Sequence, residues 1–331
     1  MQKTKIPARL SRRSALALST FGLVALGAMQ VFAAADTLKI VVGFPPGGGT
    51  DLVARALAEQ LRKASGRAVI VENRPGAGSN IASDAVARAV PDGNTVLLGG
   101  NFSHAINPHL YTHLTFDVQR DFTPLTRVNY GPFLFAVRKE SPIHSFTQLI
   151  DQAKSAPGKF TYGSSGNGTP QHLAGSWLEK TTGAQFLHVP YKGGAPAVMA
   201  LLGGEIDFLA GSIAVLSPQI AAGALRPLAV TSAKRWPTVP DVPAMLELGV
   251  QDFDLYIWLG LWLPAGVPSD KLAELFAMFR GAIESATVQE ILTREGLTPS
   301  PSESPEEFAA FAASEYALWG KIVKSSGARV E

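Results

Sequence analysis

The sequence contains no cysteine, which excludes disulfides, thiolate metal sites and cysteine nucleophiles. Long apolar runs are also missing after the first 35 residues, since the strongest one, LYIWLGLWLP at 255–264, is too short to span a bilayer. A chain of 331 residues without disulfides depends on its apolar core for stability. This length fits one large domain or two domains of about 150 residues.

The first 35 residues differ from the rest of the chain. Uncharged residues fill 14–35 and end in three alanines, after a basic start made of Lys3, Lys5, Arg9, Arg12 and Arg13. This layout predicts a cleavable signal peptide at 1–35, and hence export to the periplasm. The 22 uncharged residues are also long enough for a membrane anchor. The Arg12-Arg13 pair leaves both the general and the twin-arginine export routes open.

The remainder of the chain has no excess of positive charge. The leader holds five of the 29 lysine and arginine residues and none of the 27 acidic residues, which leaves 24 against 27 and a net charge of −3 at 36–331. This balance gives no electrostatic footprint for a nucleic acid, so we expect no nucleic-acid partner.

Strand-like and helix-like runs alternate along the chain. The apolar run at 38–42 predicts a buried strand, and 51–63 predicts a helix with its apolar residues on one face. The alternation restarts after about residue 135, and the chain ends in a helix predicted at 305–325. This order predicts an α/β fold in which helices cover parallel or mixed sheets.

Two distant segments share one plan of strand, glycine-rich turn, threonine and helix: IVVGFPPGGGTDLVARAL at 40–57 and FTYGSSGNGTPQHLAGSWL at 160–178. Glycines let a ligand approach the backbone, and a helix N-terminus offers free N–H groups and a partial positive charge. Either segment can be an ordinary glycine-rich turn, but together they predict an anion site. Since both loops lack lysine and arginine, the donors are backbone N–H groups and the side chains of Thr50, Ser164, Ser165, Asn167, Thr169, Gln171 and His172.

Other chemistries fit the sequence less well. Neither loop has the ending of a phosphate-binding P-loop. GSSGN at 163–167 misses the G-x-S-x-G pattern, although Ser165, His172 and an unspecified aspartate leave a serine hydrolase open as an alternative. The histidines at 104, 109 and 113 have no acidic residue among them, and Pro108 and 112–114 are predicted as loop. We therefore expect neither a metal site nor a cofactor.

Nine motifs point to a known family: FPPGGGTD (44–51), VENRPGAGSNIA (71–82), PDGNTVLLG (91–99), HAINPHLY (104–111), YGSSGNGTPQHLAG (162–175), HVPYKGGAPA (188–197), LAVTSAKRWPTVPDVP (228–243), LPAGVP (263–268) and WGKIVKSSG (319–327). Through them the chain resembles the extracytoplasmic solute receptors of the tripartite tricarboxylate transporter system, also called the Bug family. The resemblance covers essentially all of 36–331.

The resemblance implies a two-lobed periplasmic-binding-protein fold of the second structural type, with two crossover segments at the hinge. Lobe one is expected at 36–134 and 256–331, and lobe two at 135–255. The implied function is that of a non-catalytic periplasmic receptor, which captures a small organic carboxylate and delivers it to a membrane permease of one large and one small subunit. We expect a monomer. A periplasmic sensor that presents its ligand to a membrane signalling partner is the alternative.

The resemblance also implies the binding residues. The first loop contributes Phe44, Gly48, Gly49, Thr50 and Asp51, although Asp51 fits a helix-capping role equally well. The second loop contributes Ser164, Ser165, Gly166, Gly168, Thr169, Gln171 and His172. Further cleft positions are expected at Gly78 and Ser79, at Asn101 and Ser103, and at Gly211 and Ser212.

Overall fold

The computed structural model describes residues 37–294 and 296–330, and within them ten helices flank a mixed sheet of ten strands. The strands are β1 Leu38–Val42, β2 Val69–Asn73, β3 Thr95–Gly100, β4 Phe122–Arg138, β5 Thr161–Ser164, β6 Leu187–Pro190, β7 Phe208–Ser212, β8 Leu225–Val230, β9 Tyr256–Pro264 and β10 Thr298–Pro299. The signal peptide predicted at 1–35 lies outside the described residues.

The helices are α1 Gly49–Ser65, α2 Asn80–Ala87, α3 Asn107–Leu110, α4 Phe146–Ser155, α5 Pro170–Thr182, α6 Gly194–Gly203, α7 Ile213–Ala221, α8 Ser269–Ile283, α9 Ala286–Arg294 and α10 Pro305–Ser326. A short 3₁₀ turn at Ala77–Ser79 precedes α2, and a π-helical turn at Phe102–Ile106 precedes α3. None of the helices in the described ranges has both the length and the apolar character to cross a membrane.

Strand β4 lies at the centre of the sheet and belongs to both of its halves. Its first part pairs with β9 and β10, and its second part, from Phe133 onward, pairs with β7 and β8. The first half of the sheet also holds β1, with β2 and β3 parallel to it on either side. The second half holds β5, with β6 and β7 parallel to it on either side. Each half thus contains three parallel strands.

The strand predicted at 38–42 is present because it is covered on both faces. Leu38, Ile40 and Val42 pack into one apolar cluster together with α1, α8 and α9. Val41 points the other way and joins the cluster that contains α2 and α10. Strands buried on both faces are continuous apolar runs, which is the pattern that the sequence shows.

Several elements differ from the sequence prediction. Helix α1 begins at Gly49 rather than at residue 51, and Pro108 lies in helix α3, where a loop was predicted. Strands β4 and β9 and helix α7 were not predicted. Prolines break the pattern in two of them, at Pro124 and Pro132 in β4 and at Pro218 in α7. In β4 the register shifts next to Pro124, as expected where a strand residue has no N–H to donate.

Helix α5 reaches the sheet closely because Gly175 has no side chain. A Cβ atom at this position would lie 2.2 Å from the ring of Tyr162 on β5. We expect Gly175→Ala to lower the free energy of unfolding by about 1–3 kcal/mol, since the ring is buried and has no room to move. The control is Gly281→Ala in α8, where a Cβ meets no atom within 4 Å and alanine should stabilise the helix by about 1 kcal/mol. Urea unfolding of both variants tests this, and equal effects would contradict it.

Candidate functional site

The carboxyl ends of the parallel strands in the two halves meet at the middle of β4. Gly100 at the end of β3 pairs with Leu259 of β9, which in turn pairs with Asn129 of β4. From the other side, Ser212 at the end of β7 pairs with Phe133 of β4. Four residues of an extended strand span roughly 13 Å. The two sets of strand ends therefore face each other across a short gap, in the position where open α/β sheets bind ligands.

The first glycine-rich loop connects β1 to α1 at this gap. Gly48 is the N-cap of α1 and supplies no side-chain cap, while Gly49 and Thr50 are the first helical residues. The three glycines at 47–49 are exposed, so the N–H groups at this helix start are accessible to a ligand. The positive φ of Gly47, 85°, explains why a glycine is required there.

Asp51 holds the shape of this loop from inside. Its carboxylate accepts hydrogen bonds from the Gly47 N–H at 2.9 Å, from Arg55 at 2.8 Å and from Asn73 at 2.9 Å. Burial alone would raise the pKa of the Asp51 carboxyl, but these hydrogen bonds outweigh burial and lower the pKa from 3.8 to about 2. Only 1% of the residue is exposed. The side chain therefore positions the loop, as its helix-capping alternative implies.

The ends of β1, β2 and β3 form one cluster. The Phe44 ring packs edge-on against Phe102, which follows β3, at 5.6 Å between centroids. Gly43 lies against Ser79, because a Cβ atom on Gly43 would be 1.9 Å from the Ser79 Oγ. Ser79 itself is the left-handed N-cap of α2, next to Gly78 in the short 3₁₀ turn, and is 1% exposed. The structure thus brings Phe44, Gly78 and Ser79 to the first loop.

Asn101 and Ser103 follow β3 but differ in their contacts. The Asn101 Nδ2 donates to the backbone oxygen of Tyr256, at the start of β9, over 3.2 Å. The Ser103 hydroxyl lies 2.9 Å from Nδ1 of His104, whose ring stacks on Trp262 at 4.0 Å. The Ser103 hydroxyl is thus hydrogen-bonded to its own turn, at Gly100, and to its buried neighbour His104.

The second glycine-rich loop connects β5 to α5. Thr169 is the N-cap of α5 and accepts a long hydrogen bond of 3.5 Å from the His172 N–H, while its hydroxyl donates to Gly166 O at 2.7 Å. Ser165 donates to the Gln171 side chain at 2.9 Å, and the Gly168 N–H donates to Nδ1 of His172 at 3.0 Å. These contacts make a tight turn that ends in a helix N-terminus, like the first loop.

His188 on β6 supports this loop, and the sequence did not indicate it. Its Nε2 lies 2.7 Å from the Ser164 Oγ, and its ring stacks on His172 at 4.1 Å. Burial, and then the neighbouring His172, lower the pKa of His188 to about 4, and burial lowers the pKa of His172. Both rings are therefore neutral at pH 7. The sequence motif HVP at 188–190 contains His188, but its pairing in register with 162–164 of β5 is visible only in the structure.

Gly168 brings the second loop into contact with helix α3, which follows strand β3 of the first half. A Cβ atom on Gly168 would lie 2.7 Å from the Leu110 side chain at the end of α3. Gly211 and Ser212 end the neighbouring strand β7, and Ser212 is the N-cap of α7 without a side-chain cap bond. All the predicted positions therefore lie at or just beyond the carboxyl ends of parallel strands, and the side chains of Asp51, Ser103 and Ser165 are bonded to other parts of the protein.

Solved structures with the same architecture define the class of the protein. It superposes on the periplasmic binding protein BugD with a TM-score of 0.73 at 33% identity, over 89% of this chain and 99% of BugD. Rpa4515 of R. palustris, solved with adipate, gives a TM-score of 0.77 at 32% identity over 89% of this chain and 98% of its own. MatC from Rhodopseudomonas palustris, solved with bound malate, gives 0.74 at 29% identity over 87% and 98%. The fold is that of a periplasmic binding protein, as predicted.

The sequence also matches a family model. Residues 53–328 match the family described as the tripartite tricarboxylate transporter family receptor. The chain belongs to this family. The resemblance stated from the sequence motifs is therefore confirmed, and the relatives are solute-binding receptors rather than enzymes.

Replacing Asp51 by Asn should loosen the first loop. We expect a loss of about 1–3 kcal/mol in the free energy of unfolding at pH 6, because a charged acceptor of three hydrogen bonds is removed. Since the folded-state pKa is lowered from 3.8 to about 2, the carboxylate stabilises the protein above pH 3.8 and loses this effect as the pH falls through 2. The difference between wild type and variant should shrink over that window in urea titrations.

The matched control is Glu59→Gln, because Glu59 pairs with Lys63 at 2.6 Å on the surface. Exposed ion pairs contribute only about 0–1 kcal/mol, so the control should lose less at pH 6. A wild-type advantage over Asp51→Asn that stays constant from pH 6 to pH 2 would contradict the role given to this carboxylate.

Proposed function

We propose that this chain is a periplasmic receptor that holds a small organic carboxylate between its two glycine-rich loops and delivers it to a membrane permease of one large and one small subunit. The observation that carries the proposal is the pair of helix N-termini, α1 and α5, at strand ends that face each other across the middle of β4. The ligand-binding positions are those at the strand ends, with Asp51 acting through the loop. The receptor acts as a monomer, without a cofactor.

The division into two lobes follows the sheet. Lobe one comprises 36–134 and 256–331, and lobe two comprises 135–255. The pairing of β4 supports a division close to the first bound, since its partners change from β9 to β7 between Pro132 and Phe133, two residues before it. The chain then returns through β9, which begins at Tyr256. Two crossover segments at one place form a hinge, about which the lobes close on the ligand.

The loops suit a carboxylate because their donors are neutral. No lysine or arginine occurs at 40–54 or at 160–179, and the histidines that flank the second loop are neutral at pH 7. Backbone N–H groups at two helix starts match a carboxylate group, whose one charge is distributed over two oxygens. The adipate and malate bound by two relatives each carry two such carboxylate groups. The predicted signal peptide supports a periplasmic location.

The side-chain contacts support a receptor without catalysis. Ser165 is bonded to Gln171 rather than to a histidine. Ser164 does meet His188, but it is 0% exposed and also accepts from the Gly166 N–H at 3.1 Å. Within the described residues, no carboxylate is hydrogen-bonded to His188 to orient it. The nucleophile, base and orienting carboxylate of a Ser-His-Asp triad are therefore not assembled at this loop among the described residues.

Thr169→Ala should weaken carboxylate binding. Removing the hydroxyl takes away the N-cap of α5 and the bond to Gly166 O that holds the turn, so the N–H groups of the second loop are positioned less well for the anion. We expect a loss of roughly 1–2 kcal/mol in binding free energy by calorimetry. A thermal-shift screen of organic acids first identifies the acid to titrate, because a ligand that binds only the folded state raises the melting temperature.

The control is Ser145→Ala, which removes the hydroxyl that caps α4 by accepting from Gln148 N at 3.2 Å. Both variants should lose about 1 kcal/mol of stability, as expected for a lost N-cap. Only Thr169→Ala should lose affinity. Equal affinities for the two variants would remove the second loop from the proposed site.

The purified protein should not hydrolyse esters or amides. We expect turnover of p-nitrophenyl acetate no faster than the buffer reaction, and no difference between wild type and the Ser165→Ala and Ser164→Ala variants. Turnover by the wild type that disappears in either variant would establish a hydrolase instead.

A further inference from the structure

Two buried polar atoms beside the first loop have no protein partner. Ser79 is 1% exposed and Asn101 is 0% exposed. Among the residues that the structure describes, nothing hydrogen-bonds to the Ser79 Oγ or to the Asn101 Oδ1. A buried polar group without a partner loses its hydrogen bonds to water and gains nothing in return, so native proteins satisfy nearly all such groups. Two such atoms in one cluster point to a partner from outside the chain.

Both atoms belong to the gap between the strand ends. The Ser79 Oγ lies directly over Gly43, at the start of the first loop. Asn101 immediately follows β3 and precedes Phe102, whose ring contacts Phe44 of the same loop. A carboxylate held at the N-terminus of α1 would therefore have these two side chains as its neighbours.

The Asn101 amide can offer only an acceptor. Its Nδ2 donates to the backbone oxygen of Tyr256 at 3.2 Å, and a carbonyl oxygen can bond only to the NH₂ side of the amide. This contact fixes the orientation of the amide, so that the unpaired atom is the oxygen. A partner for Asn101 must therefore bring an O–H or N–H donor, whereas the Ser79 hydroxyl can donate to an oxygen.

The charge of the site favours a hydroxyl over an ammonium group. Asp51 is the only acidic residue in the strand-end segments 40–54, 76–83, 98–107, 160–178 and 209–213. Its carboxylate is already bonded to Gly47, Arg55 and Asn73. An ammonium group buried here would have no free counter-charge, which is costly, while a neutral hydroxyl needs only one acceptor.

We propose that the ligand is a hydroxy-substituted carboxylate: its hydroxyl donates to the Asn101 Oδ1, and its carboxylate accepts from the Ser79 hydroxyl as well as from the glycine-rich loops. This assignment rests on the proposed receptor function and names the chemical class of its ligand. It makes Asn101 the residue that selects for the hydroxyl group.

Calorimetry with matched acids tests the assignment on the unmodified protein. Two series compare an unsubstituted dicarboxylate with its hydroxy and amino forms: succinate, malate and aspartate, and glutarate, 2-hydroxyglutarate and glutamate. A third series compares butyrate with 2- and 3-hydroxybutyrate. In the series that binds most tightly, we expect the hydroxy acid to bind about tenfold to a hundredfold more tightly than the unsubstituted acid, the effect of leaving one buried acceptor unpaired.

The outcomes separate the two proposals. If unsubstituted acids bind as well as hydroxy acids, the hydroxyl assignment is wrong and the receptor function stands. If the amino acids bind most tightly, the donor is an ammonium group and the assignment is overturned. If no acid in the three series or in a wider screen of carboxylates binds, the receptor function itself is contradicted.

Two variants distinguish the roles of the side chains. Asn101→Leu should bring the affinity ratio of hydroxy to unsubstituted acid close to one, and Ser79→Ala should weaken both acids while the ratio is kept. Ser302→Ala is the control, because Ser302 is equally buried at 0% exposure but bonds to Thr126 and Arg127, away from the loops. A ratio that is unchanged in Asn101→Leu would contradict the role of Asn101, and thermal melting confirms that each variant is folded.

Discussion

The site depends on the register of one strand. Strand β4 pairs with β9 up to Pro132 and with β7 from Phe133, so the two halves of the sheet are built on a single continuous backbone. The distance between the facing strand ends is set by this pairing, and both glycine-rich loops start from those ends. A slip of one residue would move one set of ends along the strand and turn its side chains to the opposite face. The pairing of β4 therefore fixes the distance between the two loops, whatever residues the loops contain.

Neutral donors define the chemistry of the gap. Backbone N–H groups at two helix starts are held by the fold before a ligand arrives, so little conformational entropy is lost when an anion binds. Asp51 contributes to this order by using its charge on Gly47, Arg55 and Asn73 instead of presenting it to the ligand. At the second loop, the neutral His188 holds Ser164 in place through a hydrogen bond. In the proposed site, Asp51 and His188 therefore shape the loops, and the backbone N–H dipoles are left for the ligand.

The sequence was sufficient for the parts of the site that are local. Each loop, with the strand before it and the helix after it, is one continuous segment whose glycines, threonine and apolar pattern predict its structure. Strands β4 and β9 were not predicted, because the prolines and Gly131 of β4 resemble a loop and the continuous apolar run of β9 shows no alternation that separates a buried strand from a buried helix. The contacts of Ser164 with His188 and of Asn101 with Tyr256 join residues 24 and 155 positions apart. Such pairs follow from strand order, which no local pattern contains.

Binding of the ligand is linked to contact between the two halves. Gly168 of the second loop packs on Leu110, and helix α10 packs against α5, so one apolar cluster includes Leu173 and Trp319 from opposite halves. In the proposed receptor, a ligand could enter or leave the space between the loops only if this surface separated, and the separation would expose apolar area at a cost of about 25 cal/mol per Å². A ligand that bonds to both loops favours the closed arrangement by its difference in affinity for the two states. Closure therefore serves as a measure of ligand fit, because a molecule that bonds to one loop alone gains nothing from bringing the halves together.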